Sequence, residues 1–195
     1  MFKIGILALQ GAFAEHGKMI ASLGHLPAEV RLPSDLNDID GLILPGGEST
    51  SMSKLLDAFE LRAPIKRALE SGLPCLGTCA GMILLSKEVE DSSILPLGIM
   101  DITVRRNAYG RQLSSFVTEG VILAFGSAKI PMVFIRAPIV TDISESVEPL
   151  YLISNQLVAV RQKNIMALSF HPELTDSPTI HSAFIHMIAA YKAKN

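Results

Sequence analysis

The chain has 195 residues, of which 49% are hydrophobic and 18% charged, with 17 Lys plus Arg against 19 Asp plus Glu. That length suits one domain, residues 1–195, able to bury its own core, and the apolar fraction excludes the disordered class. The scattered, nearly balanced charges supply no field for a nucleic-acid backbone, so no nucleic-acid partner is expected.

The apolar opening, residues 2–13, is too short to span a bilayer and is broken by Gln10, which closes its first segment, residues 2–10. No membrane association or targeting signal is expected, and the segment reads as a strand buried on both faces, the first of a parallel sheet. A helix follows over 11–23 with Phe13, Ile20 and Leu23 on one side and Gly24 as its stop. Short strands are predicted at 28–32 and 40–45, the latter running directly into Gly46-Gly47. Met52, Leu55, Leu56 and Phe59 repeat at helical spacing, and a further helix over 63–71 ends at Gly72. Then come a strand at 73–78 and a helix from 80 to 87, with only Cys79 between them.

Beyond residue 95 helices become scarce, and strands are predicted at 102–106, 116–122, 132–140, 150–153, 157–161 and 165–170. A last helix over 179–192 presents Ile180, Phe184, Met187, Ile188 and Tyr191 on one face. Alternation in front with strand-rich insertions behind predicts an α/β fold: a doubly wound, mostly parallel sheet, helices on both faces, and an antiparallel strand extension.

Gly77-Thr78-Cys79-Ala80-Gly81 places a thiol at a strand-to-helix junction between two glycines. A turn that sharp leaves no room for flanking side chains, as in the serine form of the nucleophile elbow. Only the thiolate attacks, so the following helix N-terminus and a nearby histidine are needed to favour it. Cys75 reads as a buried packing residue, and two cysteines make neither a disulfide framework nor a metal set, which favours a reducing cytoplasm. His16, His25, His181 and His186 fall in or beside helical stretches, where packing is the ordinary explanation.

His171-Pro172-Glu173 follows the 165–170 strand at the carboxyl edge of the sheet, where the elbow also lies. In extended chain the two side chains point the same way, so Glu173 can hold one ring nitrogen while the other faces the thiol. The imidazole would take the thiol proton and later pass it to a leaving amine. Pro45-Gly46-Gly47-Glu48-Ser49 ends the neighbouring strand, and the backbone N–H groups of Gly47 and Ala80 are the candidate oxyanion donors. Glu48 is placed to hold a substrate ammonium.

Elbow, glycine pair and His-x-Glu in this chain order resemble the triad-type glutamine amidotransferases, whose fold is of flavodoxin-like type. The segments LQGA at 9–12, PGGEST at 45–50, GTCAGM at 77–82, RNAYGRQ at 106–112, FIRAP at 134–138 and HPEL at 171–174 narrow this to the glutaminase subunits of pyridoxal 5′-phosphate synthase. The resemblance covers essentially the whole chain, and Ser51, where a second threonine is expected, departs from it without touching the chemistry.

The resemblance implies a triad of Cys79, His171 and Glu173, and a glutamine site made by Gly47, Glu48, Ser49, Arg106, Ile135 and Arg136. It implies hydrolysis of L-glutamine to glutamate and ammonia, no cofactor or metal, and a barrel-shaped synthase partner that uses ribose 5-phosphate and glyceraldehyde 3-phosphate. In such pairs the glutaminase is activated on docking, and a turnover of the Gly46-Gly47 peptide is a physical route. Arg105 and Arg106 alternate faces of a strand, and either could point at the substrate. A glutaminase serving another synthase, such as imidazole glycerol phosphate synthase, a thiol peptidase, and a binding protein with a vestigial triad are the competing readings.

Overall fold

The computed structural model describes residues 1–108 and 115–194. Residues 109–112 of the RNAYGRQ segment lie outside them. β1 (Lys3–Leu7), α1 (Phe13–Ser22), β2 (Leu26–Val30), β3 (Gly41–Leu44), α2 (Ser49–Ala58), α3 (Arg62–Glu70), β4 (Cys75–Thr78) and α4 (Ala80–Leu85) alternate along the first half. Strands dominate afterwards: β5 (Ser86–Val89), β6 (Met100–Arg105), β7 (Ser115–Val121), β8 (Lys129–Ile135), β9 (Ile139–Ile143), β10 (Glu148–Ile153), β11 (Gln156–Gln162) and β12 (Ile165–Leu168). The C-terminal helix α5 spans Thr179–Lys192.

The main sheet has the order β2-β1-β3-β4-β12-β11-β9-β6-β5, with β10 paired to β11. From β2 to β12 every neighbour is parallel. Beyond β12 the pairings to β11, β9 and β6 are antiparallel, the expected extension. Because β2 and β3 lie on opposite sides of β1, the strand order reverses there, and the loops leaving β1 and β3 part around a crevice at the carboxyl edge.

Side-chain alternation splits the interior into two layers. Leu42 and Leu44 of β3, Cys75 of β4, and Ile165 and Ala167 of β12 join α2, α3 and α4 on one face. Ile43, Leu76, Met166 and Leu168 from the same strands join Ile20 of α1 and Ile180, Phe184 and Ile188 of α5 on the other. Near-continuous apolar strands thus follow from helices on both faces. Cys75 is fully buried in the first layer, and burial pushes its thiol pKa up, as befits a packing residue.

Two expectations need correction. The helix expected over 80–87 stops at Leu85, and the chain turns into β5, parallel to β6, with Lys87 and Glu88 exposed between buried Ser86 and Val89. The single strand expected over 132–140 is two strands: β8 pairs with β7 in a separate hairpin, while β9 joins the main sheet. Pro138 restricts the residue before it, and Arg136 takes a left-handed φ of 46°, so the chain kinks between them.

Gly77 and Gly81 pack the elbow against the sheet. A Cβ on Gly77 would meet the Gly81 carbonyl carbon at 2.9 Å, and one on Gly81 would run into the backbone carbonyl of Leu44. Neither backbone can yield cheaply, so Gly81→Ala should destabilise the fold by about 1–3 kcal/mol. Urea unfolding would register this as a lower midpoint.

Candidate active site

Cys79 has φ 48° and ψ −101° and joins β4 directly to α4. Its N–H donates to the Leu168 carbonyl at 2.8 Å, and its own carbonyl accepts from Ile83 N–H at 3.3 Å. These bonds fix a conformation that costs a side-chain-bearing residue about 1–3 kcal/mol. Ala80, 1% exposed, opens α4, where backbone N–H groups have no intrahelical partner. The Cys79 Sγ lies 3.9 Å from the Ile135 carbonyl oxygen, at the end of β8.

His171 and Glu173 arrive from β12. The sequence suggests extended chain here, but Pro172–Leu174 is a 3-10 turn. The pairing survives, with Nδ1 of His171 2.7 Å from Oε1 of Glu173. His171 N–H donates to the Val133 carbonyl at 2.8 Å, tying the turn to β8. The imidazole lies on bare Gly46 backbone, where any Cβ would overlap its ring. Burial works against a charge on His171, but hydrogen bonds and negative charge from Cys79 and Glu173 overcome it and raise its pKa to about 10.

A cleft of about 250 Å³ opens over the thiol, and Gly47, Glu48, Ser49, Arg106, Ile135, Arg136, Cys79 and His171 all line it. That is just below the range typical of drug-sized ligands, and it suits a small amino acid. Arg106 faces the cleft, with Nη2 3.5 Å from Glu48 Oε1, whereas Arg105 pairs outside with Glu90 at 2.6 Å. β6 ends at Arg105, so the bend that follows the strand, rather than strand alternation, turns Arg106 toward the cleft. A larger cavity of about 580 Å³ beside α5 contains none of these residues.

Glu48 is already engaged. Its carboxylate caps α2, accepting from Thr50 N–H at 3.0 Å and Ser51 N–H at 2.7 Å, and from the Ser51 hydroxyl at 2.8 Å. Partial burial opposes ionisation, but those hydrogen bonds bring its pKa down to about 2. Gln10, Ile83 and Asn107 also line the cleft and were not anticipated. Gln10 Oε1 accepts from Glu48 N–H at 2.8 Å, and the Gly46 carbonyl accepts from Ala12 N–H at 3.1 Å, so the loops after β1 and β3 are bonded across the switch point. In sequence Gln10 registers as the polar residue that ends an apolar run and as part of the LQGA segment, and neither assigns it to the cleft.

A thiol on a strained elbow, an imidazole paired to a carboxylate, and a cleft lined by Arg106 and Arg136 are the arrangement expected of the glutamine amidotransferase class. The SNO glutamine amidotransferase family matches residues 6–190, and the chain belongs to that family. It is 53% identical, over 95% of its length and 97% of the relative's, to pyridoxal 5′-phosphate synthase subunit PdxT of Streptococcus pneumoniae serotype 2 strain D39. A crystal structure of a glutamine amidotransferase superposes with a TM-score of 0.90 at 40% identity, covering 95% of this chain and 98% of that one. A chain from the structure of PurLQS of Thermotoga maritima, 16% identical, shares the fold with a TM-score of 0.67 over 95% of this chain and 99% of its own.

The raised pKa of His171 has a stability consequence. A proton held more tightly in the folded state stabilises it fully below the ordinary value of 6.5, and that contribution is lost as pH rises through about 10. Unfolding free energy should therefore decline across this window in the native chain. In His171→Gln the decline should be shallower, as pH-resolved urea titrations would record.

Proposed function

We propose that this chain, acting as one amidotransferase domain over residues 1–195, hydrolyses L-glutamine to glutamate and ammonia and hands the ammonia to a pyridoxal 5′-phosphate synthase partner. The observation that carries the reading is the joining of Cys79, His171 and Glu173 at one end of a cleft that Arg106 enters. The 53% identity to a synthase component supports the choice of consumer.

Arg106 and Arg136 would take the glutamine α-carboxylate, with Glu48 holding Arg106 and sharing the α-ammonium. The Cys79 thiolate attacks the side-chain carbonyl carbon, and the oxygen's charge falls to the N–H groups of Gly47 and Ala80. His171 protonates the departing nitrogen, which leaves as ammonia, and a γ-glutamyl thioester remains. Water then attacks the thioester with His171 accepting its proton, and glutamate leaves as the thiolate reforms. Glu173 holds the ring through Nδ1 in both halves.

The partner is a barrel-shaped synthase that joins the ammonia to ribose 5-phosphate and glyceraldehyde 3-phosphate, with no cofactor or metal on the present chain. With the Gly46 carbonyl accepting from Ala12, the N–H of the same trans peptide points the opposite way. Rotation of the Gly46-Gly47 peptide on docking would re-aim that donor and switch on the amidase. Two free cysteines, and no helix among the described residues long and apolar enough to cross a membrane, fit work in the cytoplasm.

Glutamate release should rise sharply when the synthase is added, and product absorbance should appear from the two sugar phosphates. Equal release with and without synthase would sink the activation. Cys79→Ala should lower glutamate release by on the order of 10⁴-fold while fold and synthase binding persist. Retained activity would refute the nucleophile, and cleavage of unstructured peptides without glutaminase activity would favour a peptidase.

A further inference from the structure

Glu173 is enclosed, its side chain 0% exposed. Oε1 faces His171, but Oε2 is buried without an aligned hydrogen-bond donor among the described residues. A buried carboxylate oxygen in that position needs one. Nε2 of His16, on α1, lies 3.3 Å from this oxygen. The same nitrogen lies 3.2 Å from the hydroxyl oxygen of Thr78, the last residue of β4, and Nδ1 of His16 lies 2.8 Å from Nε2 of His181 on α5. His16, His181 and Thr78 are all 0% exposed. Among the described residues no group of three or more His, Cys, Asp and Glu is arranged to hold a metal ion, which leaves a hydrogen-bonded chain as the account of this cluster.

Proton counting fixes its direction. Burial, then the charges of His181 and His171, keeps the His16 pKa well below its ordinary range, and burial brings that of His181 to about 4. Both rings are therefore neutral near pH 7, each with one N–H. One proton lies between His16 Nδ1 and His181 Nε2. If His16 supplied it, bare Nε2 of His16 would face the Glu173 carboxylate, lone pair against lone pair, and His181 would carry a buried N–H at Nδ1, which has no partner among the described residues. If His181 supplies it, His16 carries its own N–H at Nε2, with Thr78 Oγ1 at 3.2 Å and Glu173 Oε2 at 3.3 Å as the two acceptors within reach. His181 Nδ1 is then a bare acceptor, which is cheaper to bury than an orphan donor.

We propose that His16 is a positioning residue: His181 sets it as the Nε2–H tautomer, and it donates to Glu173 Oε2, fixing the carboxylate that orients His171. Its catalytic consequence rests on the glutaminase reading, whereas the tautomer does not. The chain of groups runs from α5 through α1 to the 3-10 turn, so two helices packed on one face of the sheet set the orientation of the catalytic imidazole.

Two measurements test this. In the ¹⁵N-labelled full chain, two-bond proton–nitrogen correlation spectra should show His16 protonated at Nε2 and bare at Nδ1, and protonation at Nδ1 would overturn the proposal. Glutamate release with synthase present should fall roughly tenfold in kcat, with KM little changed, for His16→Leu, the rate equivalent of one hydrogen bond. His16→Gln, whose amide N–H reaches the Nε2 position, should recover most of that loss, and a Gln variant as impaired as the Leu variant would overturn the donor role. A native chain that released no glutamate would remove the functional reading, and the spectra would still decide the tautomer.

Discussion

Cys79 holds φ 48° and ψ −101°, a region that a residue with a side chain occupies only when its surroundings keep it there. The surroundings are the Leu168 carbonyl on its N–H, the first turn of α4 on its carbonyl, and the Gly77, Gly81 and Leu44 backbones in direct contact. This constraint sets the rest of the site. It brings α4 against β3, raises the thiol above the carboxyl edge, and aligns it with the loop after β12 that carries His171. A bulkier residue at either flanking glycine would lift α4 away from β3, and with it the first-turn N–H groups beside the thiol.

The electrostatics follow from how tightly that arrangement is enclosed. His171 is 7% and Glu173 6% exposed, so each depends on partners rather than on water. Bare backbone at Gly46 gives the imidazole its place, and the β7–β8 hairpin ties down the His171 backbone through the Val133 carbonyl. Glu48 shows the contrasting case. Its side chain is 44% exposed, and it caps a helix while steadying an arginine, so its ionisation serves local order.

Most of the parallel half of the fold is legible in sequence, because strands buried on both faces read as apolar runs and the intervening helices carry a 3.6-residue period. The antiparallel half is less so. A proline and a left-handed arginine split one apolar stretch into strands of two sheets, and a short segment after α4 became a strand once β6 offered it an edge. Nothing local in Ser86–Val89 announces that pairing, since it exists only when residues of β6 lie alongside.

The elbow cysteine, its flanking glycines and the His-x-Glu pair could be read from residue order alone, because each is a local demand: a sharp turn, a bare backbone, a histidine with a carboxylate two residues on. Whatever joins elements distant in the chain was settled by packing. Packing turned Arg106 into the cleft and Arg105 out to Glu90, and bonded Gln10 to Glu48 N–H. It also gathered His16, Thr78 and His181, which lie as much as 165 residues apart, behind Glu173. A histidine on an amphipathic helix looks the same in sequence whether it meets lipophilic neighbours or a buried carboxylate, and the difference lies in what the packed sheet places opposite it.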